Sequence, residues 1–191
     1  MVESIESATV EQLSHIFAGS DAIIWLAGAG GKGGAARTRQ VDYHGALKVF
    51  DAAEQSNVLR FIMISAVDIR DRSKPAPKHY TDADLAMSKR MWDAIPVYMQ
   101  AKYDADKELV WRSTLKWTIL RPGGLVDDQG TGRIALGSTT LRQVTRDDVA
   151  ETILQVLQNE KTVGLALDLM QGETPIEEAV SSGFSIICYR D

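Results

Sequence analysis

The stretch Ala22-Ile-Ile-Trp-Leu-Ala27 is apolar at every position, and it decides the fold class. A strand with one wet face alternates apolar and polar residues, whereas a strand buried on both faces does not alternate. Three further short runs are mostly apolar and do not alternate: Arg60-Phe-Ile-Met-Ile-Ser65, Lys116-Trp-Thr-Ile-Leu-Arg121 and residues 165–170. These runs predict the buried strands of a mostly parallel sheet.

Helical patterns separate the predicted strands. Apolar residues recur at helical spacing over residues 7–17, 37–56, 96–113 and after Thr145, and a short helix opens at residue 176. Thr9 and Gln12 form a possible capping box, while the segment 68–81 contains two prolines and predicts a surface loop. The alternation predicts one α/β domain over residues 1–191, a Rossmann-like sheet with helices on both faces.

Composition excludes several classes of protein. The 191 residues are 45% hydrophobic and carry a net charge of −5, which argues against binding of nucleic acid. A single cysteine, Cys188, excludes a disulfide framework, and three histidines without paired spacing predict no metal site. The apolar runs are too short to span a bilayer and no basic leader opens the chain, so we expect a cytosolic protein away from membranes.

A Gly-rich turn follows the first strand. Gly28-Ala-Gly-Gly-Lys-Gly33 fits G-x-G-x-x-G, the pattern that holds a cofactor pyrophosphate between a strand and a helix. Six of the seven residues 28–34 are Gly or Ala, so the match is not specific, and the next helix is expected only after Ala35. The two alternatives are a phosphate-binding turn and a flexible loop, and the second is favoured.

Tyr98-Met-Gln-Ala-Lys102 carries the clearest chemical signal. Residues at i and i+4 of a helix project side by side, so the phenol and the ammonium can face one pocket. A nearby ammonium lowers the pKa of a phenol, as a proton donor to a developing alkoxide requires. Ser65 lies where a parallel sheet places ligand-contacting residues. The alternative is an ordinary pair on the surface of a helix.

The order of these elements resembles the short-chain dehydrogenase/reductase superfamily, and more narrowly its atypical, NmrA-like, NAD(P)H-binding branch. The resemblance covers residues 7–180. Its most specific piece is Trp117-Thr-Ile-Leu-Arg-Pro-Gly-Gly124, which follows the helix of Tyr98 and Lys102. Residues 21–28 resemble the fourth strand of that branch, and residues 60–65 resemble its fifth strand.

The resemblance implies an activity and a set of site residues. Tyr98 would donate a proton to a carbonyl oxygen, Lys102 would bind the nicotinamide ribose, and Ser65 would orient a small-molecule substrate. The residues that would line the cofactor groove are Ala27, Gly28, Ser65, Lys102, Pro122, Gly123 and Gly124. The cofactor would be NAD(P), with NADP preferred. Arg121 is either a packing residue or a cofactor contact.

The chain also departs from that family. Its first recognisable element is the helix before the fourth strand, so two βαβ units, on the order of 60 residues, are expected to be absent at the N-terminus. The Gly-rich turn then follows the wrong strand for the family's pyrophosphate loop, and cofactor binding is expected to be weak or lost. The rival interpretation is a non-catalytic regulatory or interaction protein with the same fold.

An incomplete sheet has consequences for assembly. Without its neighbour, the strand 22–27 becomes an apolar edge with no lysine to discourage pairing. We therefore expect a homo-oligomer that pairs through this strand, or cover from the apolar run 184–190, which reads as an extra strand. Truncation after Val180 would then cause aggregation.

Two further groups of residues leave simpler interpretations open. Asp104, Asp106 and Glu108 are predicted to form a solvated helix face. The apolar side chains of Met87, Met91, Trp92 and Met99 either line a substrate pocket or pack in the core.

Overall fold

A computed structural model describes residues 3–182 of the chain. The helices are α1 (Val10–Phe17), α2 (Gly34–Thr38), α3 (Ala46–Gln55), α4 (Asp82–Ala94), α5 (Pro96–Trp111), α6 (Arg146–Gln158) and α7 (Ile176–Ser181). A π-helical segment, Arg39–Gly45, joins α2 to α3, and a 3₁₀ turn, Glu160–Thr162, follows α6. The strands are β1 (Ala22–Trp25), β2 (Arg60–Ile64), β3 (Lys116–Pro122), β4 (Gly124–Val126), β5 (Arg133–Gly137), β6 (Gln143–Thr145), β7 (Leu165–Gln171) and β8 (Thr174–Pro175).

The main sheet has six strands in the order β1-β2-β3-β7-β5-β8. The first four are parallel, with Ile24 opposite Ile62 and Met63 opposite Ile119, while β5 and β8 join antiparallel. A separate parallel pair, β4 and β6, lies outside this sheet. The prediction of a mostly parallel α/β sheet is confirmed.

Helices cover both faces of the sheet. On one face, residues of α1, α3 and α5 pack with the strands around Phe50, Phe61 and Leu109, and the two phenyl rings meet edge to face at 5.2 Å. On the other face, residues of α6 and α7 pack against β2, β3 and β7 around Ile62 and Leu167. Burial on both sides is why the sequences of β2, β3 and β7 do not alternate. The expectation of burial on both faces is wrong for β1, because Ile23 and Trp25 are buried while Ile24 faces solvent on the other side.

Local signals placed several helix ends correctly. Thr9 and Gln12 form the expected capping box of α1, and the Thr145 side chain accepts a hydrogen bond from the Asp148 amide at the start of α6. Other elements were missed: α4, which begins with a capping box of Thr81 and Asp84, and the short strands β4, β5, β6 and β8. The helix predicted over 37–56 is divided into three segments by the π-helical stretch.

The strand β1 forms an edge of the sheet. It pairs with β2, and within residues 3–182 no strand pairs with its other side. Ile24 is 41% exposed and Leu26, just beyond the strand, is 62% exposed. The predicted terminal strand 184–190 and Cys188 lie outside the described residues. The part of the chain that the structure describes contains no helix long and apolar enough to cross a membrane.

Candidate functional site

The predicted cofactor-lining residues follow three adjacent strands. Because β1, β2 and β3 are parallel, their carboxyl ends lie at one edge of the sheet, a few ångströms apart. Ala27 and Gly28 follow β1, Ser65 follows β2, and Pro122 ends β3. The Ser65 amide donates to the Leu120 carbonyl at 2.8 Å, which joins the loop after β2 to β3. The fold therefore gathers these residues as the sequence predicted.

The helix α5 places Tyr98 and Lys102 beside that edge. Pro96 occupies its first turn, where a missing N–H costs nothing, so the helix begins just before Tyr98. The Lys102 side chain is only 4% exposed, and its Nζ donates to the carbonyl oxygen of Ile64 at 3.3 Å. The same Nζ lies 5.8 Å from the centroid of the Tyr98 ring. Lys102 thus lies between Tyr98 and the end of β2.

Asp42 is a site residue that sequence reasoning missed. It lies in the π-helical segment, it is completely buried, and its Oδ1 is 3.5 Å from Lys102 Nζ. Its Oδ2 accepts a hydrogen bond from the Ala29 amide at 3.1 Å. Asp42 therefore connects the ammonium with the turn after β1. A signal existed, because Asp42 lies four positions before Ala46 and so on the apolar face of its helix.

The pKa of Tyr98 moves in the direction opposite to the prediction. Burial raises it to about 12, and the Asp42 and Asp106 carboxylates add to that rise. The expectation that Lys102 would lower the phenol pKa considered one charge, whereas the fold places two carboxylates around the ammonium. Burial also lowers the pKa of Lys102, against the opposing effects of Asp42 and Asp106. Tyr98 is accordingly a neutral phenol at physiological pH.

Asp106 is not part of a solvated face, so that prediction was wrong for this residue. It is completely buried, and its Oδ2 accepts from Nε and Nη2 of Arg121 at 3.1 Å each. Asp106 lies one turn after Lys102 on the side of α5 that faces the sheet, whereas Glu108 is exposed and Asp104 pairs with Arg39. Burial raises the pKa of Asp106, although Arg121, Ser65 and Lys102 lower it. Arg121 is therefore a buried packing residue.

Packing also explains the glycine after β3. A Cβ on Gly123 would lie 1.8 Å from the Arg142 carbonyl oxygen and 2.6 Å from the Met170 sulfur, so no side chain fits there. Pro122 and Gly123 are buried, while Gly124 is exposed and opens β4. Among the predicted cofactor residues in this segment, Gly124 is the one with an exposed surface.

A cavity of about 590 Å³ opens beside Tyr98. The Gly-rich turn, the start of α2 and the junction of α4 with α5 form its walls, and Asp42 lies at its inner end. The helix after the turn begins at Gly34, before the position expected from the sequence, and it is only five residues long. The turn therefore contributes a wall of this cavity.

The three methionines of this group pack in or against the core, and Trp92 is half-buried. Met99 is buried, and Met87 and Met91 pack against a cluster that contains Val67 and Met170. The Trp92 indole donates to Asp68 at 3.1 Å. None of these four residues lines the cavity beside Tyr98. Of the two interpretations left open, core packing describes the position of the three methionines.

Comparison with known proteins adds a family match. A family model described as NAD(P)H-binding matches residues 2–160. A UPF0659 protein of Schizosaccharomyces pombe is 43% identical over 187 residues, which cover 96% of this chain and 75% of that protein.

Two bacterial proteins are similar as well. A Bacillus subtilis protein described as an uncharacterized sugar epimerase is 37% identical over 172 residues, 89% of this chain and 72% of its own length. The crystal structure of an oxidoreductase from Lactococcus lactis has a TM-score of 0.80 at 30% identity, and it covers 94% of this chain and 74% of that one. The fold is thus shared with an oxidoreductase of known structure.

Proposed function

Because the chain belongs to the NAD(P)H-binding family, we propose that it is an NAD(P)-dependent oxidoreductase of the short-chain dehydrogenase/reductase type, in its NmrA-like branch, which reduces a small carbonyl compound. One observation carries this proposal. Tyr98, Lys102 and Ser65 lie at the carboxyl edge of the sheet, and Tyr98 borders a cavity of substrate size.

The residues at this edge fit the nicotinamide half of the cofactor. Ala27, Gly28 and Gly124 present small residues at the ends of β1 and β3, where open α/β sheets bind their ligands. A Cβ on Gly28 would lie 3.0 Å from Asp42 Oδ1, so glycine keeps the turn close to the buried carboxylate. The preferred cofactor is NADPH. When bound, it would supply a hydride, which is one proton with two electrons, to the carbonyl carbon.

Tyr98 supplies the proton that completes the reduction. A neutral phenol can donate to the carbonyl oxygen as negative charge develops there, which gives the alcohol and leaves a phenolate. The ammonium of Lys102, 5.8 Å from the ring centroid, then stabilises that phenolate. Solvent at the cavity mouth returns the proton. Ser65 is buried and does not line the cavity, so the substrate contact that the sequence predicts for Ser65 is not part of this proposal.

Asp42 acts through Lys102 and is a positioning residue. Burial alone favours the neutral amine, while the carboxylate at 3.5 Å favours the ammonium. Its second oxygen holds the Ala29 amide, so the same side chain fixes the turn beside the cavity. Asp42 thus favours the charged form of Lys102 and also fixes the position of the turn beside the cavity.

Reductase assays on two tyrosine variants test the proposal. Tyr98→Phe removes the proton donor, and we expect the turnover of NADPH with small ketones and aldehydes to fall roughly a hundredfold or more. Tyr103→Phe is the matched control, because Tyr103 lies on the same helix and does not line the cavity. Equal turnover by the two variants would exclude Tyr98 as the donor.

A non-catalytic regulatory or interaction protein is the second candidate. The exposed apolar edge of β1 and the short helix after the Gly-rich turn favour it. A titration of NADPH and NADH, followed by tryptophan fluorescence, separates the candidates. Saturable binding supports the enzyme, and a folded protein that binds neither cofactor supports the non-catalytic role.

A further inference from the structure

The walls of the cavity beside Tyr98 are built from small or apolar groups. Gly30, Gly31 and Gly34 have φ values of +62°, +72° and +70°, a backbone conformation that residues with a side chain rarely adopt. No atom lies within 4 Å of a Cβ built on any of the three, so the wall is bare backbone facing open space. Ile95 and Val97 form the opposite wall.

The charges around the cavity leave no cation in its lining. Among the described residues that line it, Asp42 is the charged one, and its carboxylate is matched by Lys102. Two arginines nearby already have carboxylate partners: Arg37 pairs with Glu6 at 2.9 Å and Arg39 with Asp104 at 3.1 Å. Arg37 also donates to the Ala29 carbonyl oxygen at 3.1 Å, and neither arginine lines the cavity. Lys32 is exposed on the turn and does not line the cavity.

These charges select against an anion. An anionic group in the cavity would lose water without gaining a cationic partner in the lining, because the Asp42 carboxylate is already paired with Lys102, and an unpaired buried charge costs binding free energy. An apolar group would cover Ile95, Val97 and the glycine backbone and would displace water from them. Two uncharged polar side chains line the cavity, Thr38 and Tyr98. The Thr38 hydroxyl donates to the Gly34 carbonyl at 3.1 Å, so Tyr98 is the donor that orients the ligand.

We propose that this cavity receives an uncharged, largely apolar carbonyl compound, and that Gly30, Gly31 and Gly34 form a wall of a substrate site. The proposal rests on the proposed function, because Tyr98 identifies the carbonyl oxygen as the atom to be recognised. It goes further by excluding carboxylated and phosphorylated carbonyl compounds from this cavity.

Acetophenone and 4-acetylbenzoate form a matched pair of probes, since they differ by one carboxylate. Binding is measured by saturation-transfer difference NMR on the whole chain, with and without NADPH. We expect acetophenone to bind at least roughly tenfold more tightly, which corresponds to about 1.4 kcal/mol. Equal or tighter binding of 4-acetylbenzoate would overturn the proposal, as would failure of acetophenone to bind.

Variants at two neighbouring alanines of α2 test where acetophenone binds. Ala35 lines the cavity, whereas Ala36 is exposed and does not. Ala35→Trp should weaken acetophenone binding roughly tenfold or more, while Ala36→Trp should leave it within about twofold. Equal effects would place the ligand elsewhere and refute the site. Acetophenone that binds in the cavity and is not reduced with NADPH would leave the site standing and count against the proposed function alone.

Discussion

Replacement of Asp42 by asparagine tests whether the buried ion pair holds the site together. Asn has nearly the same shape as Asp, and its carbonyl oxygen can still accept the hydrogen bond from the Ala29 amide. The substitution removes the negative charge 3.5 Å from Lys102 Nζ, and both side chains are buried. Lys102 would then have to remain charged without this partner or lose its proton.

The expected loss of stability follows from the burial of Asp42 and Lys102. Removing one partner of a buried pair typically costs about 3–5 kcal/mol, because it leaves an uncompensated charge away from water. Asp106 also favours the charged form of Lys102, so the lower end, about 3 kcal/mol, is expected. Asp104→Asn is the matched control, since its pair with Arg39 is 27% and 42% exposed and should be worth at most about 1 kcal/mol.

Urea unfolding followed by circular dichroism measures both losses. We expect the midpoint for Asp42→Asn to fall well below that of Asp104→Asn at an unchanged slope. The double variant Asp42→Asn/Lys102→Met removes both charges and should regain most of the lost stability, because no buried charge is left unpaired. Equal losses in the two single variants, or no recovery in the double variant, would refute the role of the pair.

Three further outcomes are expected. Burial raises the pKa of the Asp168 carboxyl to about 7, so the folded protein favours its neutral form. The stability that this neutral form contributes is lost as the pH rises from about 4 through 7. Asp168→Asn should therefore become more stable relative to wild type over that interval, by up to roughly 1.4 kcal/mol per pH unit, and parallel curves would contradict this. NADPH should bind with a dissociation constant in the high micromolar range or weaker, about −5.5 kcal/mol or less favourable, because the Gly-rich turn borders the cavity and is not expected to hold a phosphate. Submicromolar affinity by isothermal titration calorimetry would reverse that assignment. Light scattering should show a homodimer or larger assembly that pairs through residues 22–27, and the variant Ile24→Lys should dissociate it. A stable wild-type monomer whose strand is unprotected from hydrogen exchange would exclude this assembly.

The strands of the main parallel sheet were predictable because their signals are local. Each of the runs beginning at residues 22, 60, 116 and 165 is apolar on both faces, and the structure pairs all four in parallel. The capping box of Thr9 and Gln12 is equally local, since both partners lie within one helical turn. Parallel pairing in turn brings Ser65 and the residues after β1 to one edge.

The chemistry at that edge depended on the tertiary structure. The i, i+4 spacing correctly brought Tyr98 and Lys102 together, and it led to the prediction of a lowered phenol pKa. Burial of Tyr98 reverses that prediction, and Asp42 adds to the rise of the pKa from a distant part of the chain, because the π-helical segment packs against α5. Asp106 looks like one charge in an acidic run, and only its burial opposite Arg121 makes it part of the interior.

The sequence by itself therefore determined the four parallel strands, the capping box of α1 and the pairing of Tyr98 with Lys102, because these depend on residues within a few positions of one another. The tertiary structure decided the sign of the Tyr98 pKa shift, the wall that the Gly-rich turn forms beside it, and the antiparallel direction of β5. Each of these depends on contacts between segments that are distant in the chain. The strength of an electrostatic interaction depends on distance and on access of water, and the spacing of residues along one helix specifies neither.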